Sequence, residues 1–249
     1  MAIIKKILIA VIMFLIGHAV PVFSRLIYNK INLAVIQNDT LQQLRYIIIV
    51  YGIQIFFTIA LLIVLIRDKD LKYGFNLKNT GTSISILKKF VVIWTVIVAL
   101  FFIIALSFIP GFGNYMQAVC PPRLSYLIKD FVGGVILAGI GEEPLYRSLV
   151  ILTLSKYWNG NIKMRKFNIP HVTLISGFIF MTAHIGYIIY PYFQITHLDL
   201  LQLTFTFILG VFWANVFMKT KSLLCPILAH SSSNAIQYGI GYIVSFIVL

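Results

Sequence analysis

Acid is what this chain of 249 residues has least of. Five aspartates and two glutamates stand against twenty lysines and arginines, for a formal net charge of +13. Charge of either sign is scarce: 11% of residues are charged and 60% hydrophobic, with a mean hydropathy of +0.95. Soluble domains carry about 25% charged residues, so that class is excluded. The alternating ten-residue segments of a membrane β-barrel are missing, and open sheets cannot exist in lipid, where every backbone polar group needs an internal partner. The two cysteines, Cys120 and Cys225, have no CxxC spacing and are too few for a disulfide framework. There is no H-E-x-x-H motif, internal repeat, low-complexity tract or Pro/Gly/Ser linker. The N-terminal MAIIKK and its apolar run lack a small-x-small cleavage site, so a retained first span is expected.

What is present is a series of apolar stretches of the roughly 20 residues that cross a bilayer as a helix. The fold class is therefore all-α, a polytopic transmembrane helical bundle. Seven spans are expected at about 7–27, 45–66, 90–110, 129–153, 169–190, 198–217 and 222–249. Gly239 and Gly241 could break the last segment into a span and a short returning helix, giving eight. Residues 1–127, with spans one to three, and 128–249 make up a single integrated membrane domain.

The positive charge falls between the spans, where the positive-inside rule expects it. With the N-terminus in the cytoplasm, fourteen lysines and arginines lie inside and five outside, the twentieth being Arg147 within a span. No basic stripe interleaves with aromatics on a soluble face, so nucleic acid is not an expected partner. The polar, basic stretch at 67–89 is expected to lie along the cytoplasmic surface near anionic headgroups.

Against this apolar background, three polar sets stand inside spans. Both glutamates of the chain, Glu142 and Glu143, lie with Arg147 in GIGEEPLYRSLV; His184 follows in FIFMTAHIGY; His230 and Asn234 sit in PILAHSSSNAI. Charged groups at the bilayer centre cost about 2.5–3.5 kcal/mol each, so such residues face the protein interior and mark functional sites. Glu143 and Arg147 are four apart, which puts them on one helix face with the acid on the favourable N-terminal side. Glu142 is rotated by about 100° and has no sequence-local cation. A desolvated carboxylate without a counterion has the surroundings of a general base. His230 and Asn234, also four apart, aim two polar groups at one point. Pro144, after Gly139 and Gly141, predicts a kinked or restarted helix, tolerated at membrane depth where backbone lines a polar cavity. Interfacial placement accounts for His18 and His171. His197 and Asp199 lie in a short outer loop, Asp130 marks the membrane boundary, and tyrosines and tryptophans fit interface belts and helix packing.

The three sets spell E-E-x-x-x-R (EEPLYR, 142–147), F-x-x-x-H (FMTAH, 180–184) and H-x-x-x-N (HSSSN, 230–234), in that order. This combination, over roughly residues 128–240, resembles the CPBP family of intramembrane proteases. That family includes the type II CAAX prenyl endopeptidases and bacterial relatives linked to bacteriocin self-immunity. The chain departs from the family's common pattern at Pro144, where an apolar residue is usual, and at Ser148, where glycine is.

The resemblance implies an endopeptidase in the cell membrane, bacterial, in which Glu142 activates a water and His184 positions or polarises it. His230 and Asn234 would donate to the oxyanion, and Glu143 with Arg147 would hold the constellation together. The implied substrate is a membrane-associated peptide or lipoprotein: a pheromone, bacteriocin or lipoprotein precursor. No cofactor is required. Three alternatives use the same residues: acyl transfer in lipoprotein modification with a partner membrane enzyme; zinc hydrolysis with Glu142, His184 and His230 as ligands; and a non-enzymatic immunity protein or proton-coupled carrier.

Overall fold

Apolar runs broken by short polar turns become helices whose ends are set by capping residues. The computed structural model describes residues 2–31, 38–66, 72–164, 167–188 and 194–248. Eight helices carry the fold: α1 Ala2–Lys30, α2 Asp39–Leu65, α3 Thr80–Phe108, α4 Phe112–Val119, α5 Leu124–Ser155, α6 His171–Thr182, α7 Leu200–Thr220 and α8 Leu224–Ile247. Two antiparallel hairpins join them: β1 Asn161–Met164 with β2 Phe167–Pro170, and β3 Gly186–Ile188 with β4 Gln194–His197. The side chain of Asn38 caps α2 by accepting from Leu41 N, and Asp199 caps α7 by accepting from Leu201 N and Gln202 N.

Five helices, α1, α2, α3, α5 and α7, are long and apolar enough to cross a membrane. Large apolar side chains such as Phe56 (68% exposed) and Phe108 (78%) point outward along them, as a lipid-facing surface requires. The second half of α5 is the exception. Leu145, Leu149, Val150 and Ile151 are all fully buried, because α1, α2, α6, α7 and α8 pack around it. A helix apolar on every side is a central helix, and this one carries both glutamates.

The irregularity expected in α5 is present as two π-helical stretches, Asp130–Leu137 and Pro144–Ile151. Pro144 has no N–H for the carbonyl four residues back, and a wider turn accommodates that loss. Gly139 lets α8 approach: a Cβ there would stand 2.7 Å from Ser231 Oγ and 3.0 Å from Ile227 O.

Three expectations are corrected. The span at 169–190 is instead the twelve-residue helix α6, about 18 Å long and too short for a core of about 30 Å. It ends at Thr182, and the chain turns through Ala183 and His184 into β3, so the apolar, β-branched IGYI leaves the helix as a strand. α3 begins at Thr80 rather than near 90. The described part of the 67–89 stretch does not lie free along a surface but is pinned to the turn between α7 and α8. Asn76 Nδ2 donates to Lys221 O (2.9 Å), Asn79 Nδ2 to Thr220 O (3.0 Å), Ser222 Oγ to Asn76 O (2.6 Å) and Leu223 N to Gly74 O (2.9 Å). Ser148 reaches the same stretch through a short hydrogen bond to Tyr73 O. The last segment is one continuous helix, with Gly239 and Gly241 inside it.

The segments assigned by charge to one side share one end of the bundle. Lys5 Nζ lies 5.3 Å from the Tyr157 ring, Trp158 Nε1 donates to Lys6 O, and Lys156 Nζ donates to Leu65 O. At the other end Tyr28 of α1 meets Tyr46 of α2 edge-on at 4.8 Å.

Candidate active site

α5 presents its two glutamates in opposite ways. Glu143 is fully buried. Its Oε2 accepts from Arg147 Nε at 2.8 Å and its Oε1 from Arg147 Nη2 at 3.3 Å, the pair that the i, i+4 spacing predicts. Arg147, also fully buried, donates from Nη1 to Ser176 Oγ of α6 (3.1 Å), and that hydroxyl donates onward to Tyr146 O. The guanidinium carbon lies 4.8 Å from the Phe180 ring and 5.8 Å from that of Trp213. Salt bridge, hydroxyl and aromatic faces thus fasten α5, α6 and α7 around one buried charge pair.

Glu142, half-buried, turns toward α2. Tyr51 Oη donates to its Oε1 at 3.1 Å, while Oε2 is buried and has no hydrogen-bond partner among the described residues. Next to it on α2, Gln54 Nε2 donates to Gly141 O at 3.0 Å. Glu142 and Tyr51 line a cavity of about 480 Å³, together with Asp130, Gly134, Tyr146, His184 and Tyr238. Arg25, Lys129 and His197 line it as well, and they come from the end of the bundle opposite Lys5 and Lys156.

His184 stands just past the last turn of α6 because that helix is short. Its Nδ1 lies 2.8 Å from Phe180 O. A carbonyl only accepts, so Nδ1 carries the proton and Nε2 is left to face other partners. Phe180 is the letter of F-x-x-x-H that sequence leaves without a task. Its ring is edge-on to His184 at 4.7 Å and to His230 at 5.8 Å, under the Arg147 guanidinium. It spaces the two imidazoles.

His230 and Asn234 do not converge on one point. His230 Nδ1 donates to Glu143 Oε1 at 2.9 Å, and the ring stacks on Trp213 with centroids 4.5 Å apart. Asn234 Nδ2 donates to Gly134 O at 2.7 Å. The structure therefore places His184 and Glu142 in the lining of one cavity and gives His230 to the other glutamate. With Nδ1–H already committed, His230 donates to a further acceptor only from a doubly protonated ring. Among the described residues, no three His, Cys, Asp or Glu side chains are grouped to hold a metal ion.

Two bland readings change. Asp130 is 6% exposed, accepts from Tyr242 Oη at 2.8 Å, pairs with Lys129 Nζ at 3.2 Å and lines the cavity. His197 also lines it, and its Nε2 lies 3.2 Å from Gln202 Oε1. Tyr51, Gln54 and Trp213 are site residues that motif spacing misses. Gln54 alone left a signal, as an amide in the apolar run GIQIFFTIALL.

No curated protein and no solved structure gives a match to the chain. A family profile does: residues 124–236 match the one described as type II CAAX prenyl endopeptidase Rce1-like. The matched stretch holds all three motifs, from the start of α5 into α8, and leaves out α1 to α4. Over this site-bearing segment, a little under half of its length, the chain is similar to the Rce1-like family of type II CAAX prenyl endopeptidases.

Proposed function

We propose that the protein is an intramembrane endopeptidase that uses Glu142 to activate water against a peptide bond of a membrane-associated substrate. One observation carries this reading. One cavity is lined both by a carboxylate with one oxygen bonded to Tyr51 and the other unpartnered, and by His184, whose Nδ1 proton is fixed on a carbonyl. A base needs a free lone pair in a water-poor place, and Oε2 supplies it. His184 Nε2 accepts the water's second proton as a hydrogen bond and turns the oxygen lone pair toward the scissile carbonyl.

The water proton moves to Glu142 Oε2 as the C–O bond forms and the carbonyl electron pair moves onto its oxygen. That oxyanion is met on α8 by the second Nδ2 hydrogen of Asn234, while His230, its Nδ1–H held by Glu143, fixes the same stretch of helix. Collapse expels the amine, which takes the proton back from Glu142. The substrate class is a lipidated or hydrophobic peptide with a free C-terminal part: a CAAX-type terminus, or a pheromone, bacteriocin or lipoprotein precursor. It acts within the cell membrane, with the N-terminus of the enzyme in the cytoplasm.

The test is isotopic. Purified protein in lipid is given a peptide bearing a farnesylated cysteine three residues from its C-terminus, in water enriched in ¹⁸O, and the products are weighed by mass spectrometry. Hydrolysis leaves one ¹⁸O in the new carboxylate, and Glu142→Gln abolishes it. Acyl transfer would instead leave a new amide without label. Full turnover by Glu142→Gln refutes the proposed role.

A further inference from the structure

Tyr51 belongs to α2, outside the family-matched residues 124–236 and outside every motif, yet it makes the hydrogen bond to Glu142. We propose that Tyr51 is the positioning residue for Glu142: its hydroxyl holds Oε1 and so selects Oε2 as the oxygen that takes the proton from water. This rests on Glu142 being the base.

The ring is placed by contacts that do not involve the hydroxyl. Gly141 has no side chain, and a Cβ there would overlap Tyr51 Cδ1 and stand 3.0 Å from Cε1, so the ring lies against the α5 backbone just before the glutamate. One turn further along α2, Gln54 is 3% exposed and donates to the carbonyl of the same glycine. Two residues of one α2 face thus clasp Gly141, and the phenol oxygen extends from that clasp to Glu142. The last torsion of a glutamate is broad and roughly two-fold, so an unheld carboxylate presents either oxygen. A donor on Oε1 ends that exchange. Oε2, buried and without a partner among the described residues, is then the lone pair left free on a side chain that lines the cavity.

During the step Tyr51 keeps its own proton. The water proton goes to Oε2, the water oxygen bonds to the carbonyl carbon, and the proton leaves Oε2 for the departing nitrogen as the C–N bond breaks. Tyr51 acts only through Glu142.

Tyr51→Phe removes the hydroxyl and keeps the ring against Gly141. Because Glu142 and Glu143 are the chain's only glutamates, protein labelled with ¹³C at the glutamate carboxyl gives just two such signals in solid-state NMR, and Glu142→Gln assigns them. In Tyr51→Phe the Glu142 signal moves and the Glu143 signal stays. On the farnesylated peptide kcat falls by about tenfold to a hundredfold, the range for losing one hydrogen bond to a charged group, while KM stays within about twofold and Tm falls by at most a few degrees. Gly141→Ala, which pushes the ring aside, also moves the Glu142 signal and lowers kcat, with a fall in Tm from the overlap. An unmoved Glu142 signal, wild-type kcat, or a loss in which both signals and Tm shift together overturns the assignment. The signal reports the contact whichever peptide is accepted. Full turnover by Glu142→Gln would instead remove the hydrolytic reading and leave the contact standing.

Discussion

Replacing Glu143 by Gln separates two ways of losing a buried ion pair. In the native protein both Glu143 and Arg147 are fully buried, and their closest atoms are 2.8 Å apart. At an effective dielectric constant of about 20, that separation corresponds to an attraction of about 6 kcal/mol. It is set against several kcal/mol of desolvation for each ion, so the pair as a whole contributes little net stability. Removing one partner is different, because the survivor keeps its desolvation cost and loses its counterion, about 3–5 kcal/mol in general.

The two survivors are not equivalent. Glu143→Gln strands Arg147, which cannot deprotonate, and points an amide N–H₂ at either the guanidinium or the His230 Nδ1–H. Arg147→Met strands a carboxylate that still accepts from His230 and can take up a proton. Glu143→Gln is therefore the more damaging substitution, and the double variant Glu143→Gln/Arg147→Met recovers most of the loss. For a chain of this size each kcal/mol is roughly 2–4 °C, so Glu143→Gln lowers Tm by on the order of 10 °C. The assay is thermal unfolding of the purified variants in one detergent, followed by tryptophan fluorescence; Trp213 lies on the Arg147 side of the site. If Arg147→Met proves equal to or worse than Glu143→Gln, or the double variant is the least stable of the three, the reasoning is wrong.

Other outcomes follow from the same structure. Gly139→Val would drive a branched side chain against the Ser231 hydroxyl and the Ile227 carbonyl, separating α5 from α8; the loss is about 1–3 kcal/mol, read as a fall in Tm with both glutamates untouched. Asn234→Ala leaves the Gly134 carbonyl without its side-chain donor, at about 1–3 kcal/mol; a fall in kcat beyond what that destabilisation explains, at saturating farnesylated peptide, marks the oxyanion role. Arg25 and His197 line the cavity at the end opposite Lys156. On intact cells, Arg25→Cys is therefore expected to react with a membrane-impermeant maleimide and Lys156→Cys only after permeabilisation. Both native cysteines are buried, so background labelling is low.

The order of helices was legible because a span needs little more than twenty apolar residues, and the chain repeats that device. α6 was not, since IGYI satisfies a hydropathy window equally as helix or strand, and only the hairpin with β4 decides. The docking of Asn76 and Asn79 was also hidden: their partners Lys221 and Thr220 lie over 140 residues away, and asparagines in a polar loop look solvated. In the site, the Glu143–Arg147 pair could be read because it is local to one helix. The target of His230 could not. Two adjacent acids diverge by about 100° on a helix, and whether α8 meets one or the other is settled by where Trp213 and Phe180 hold the imidazole.

That choice gives the scarcity of acid a physical meaning. A carboxylate inside an apolar bundle needs a cation or several donors, and either remedy takes away its basicity. Glu143 has received all of it: two donors from Arg147 and a third from His230. It is neutralised, rigid and unsuited to taking a proton. Its neighbour gains from this arrangement, since Arg147 and one of the two motif histidines are already committed to Glu143. Glu142 is left with a single neutral donor, Tyr51, on one oxygen. Adjacent glutamates with one arginine between them are thus a means of holding one acid fully compensated so that the residue beside it stays uncompensated at a fixed place. An acid within hydrogen-bond reach of Arg147 would compete for it and loosen the frame, and a cation within hydrogen-bond reach of Glu142 Oε2 would quench the base.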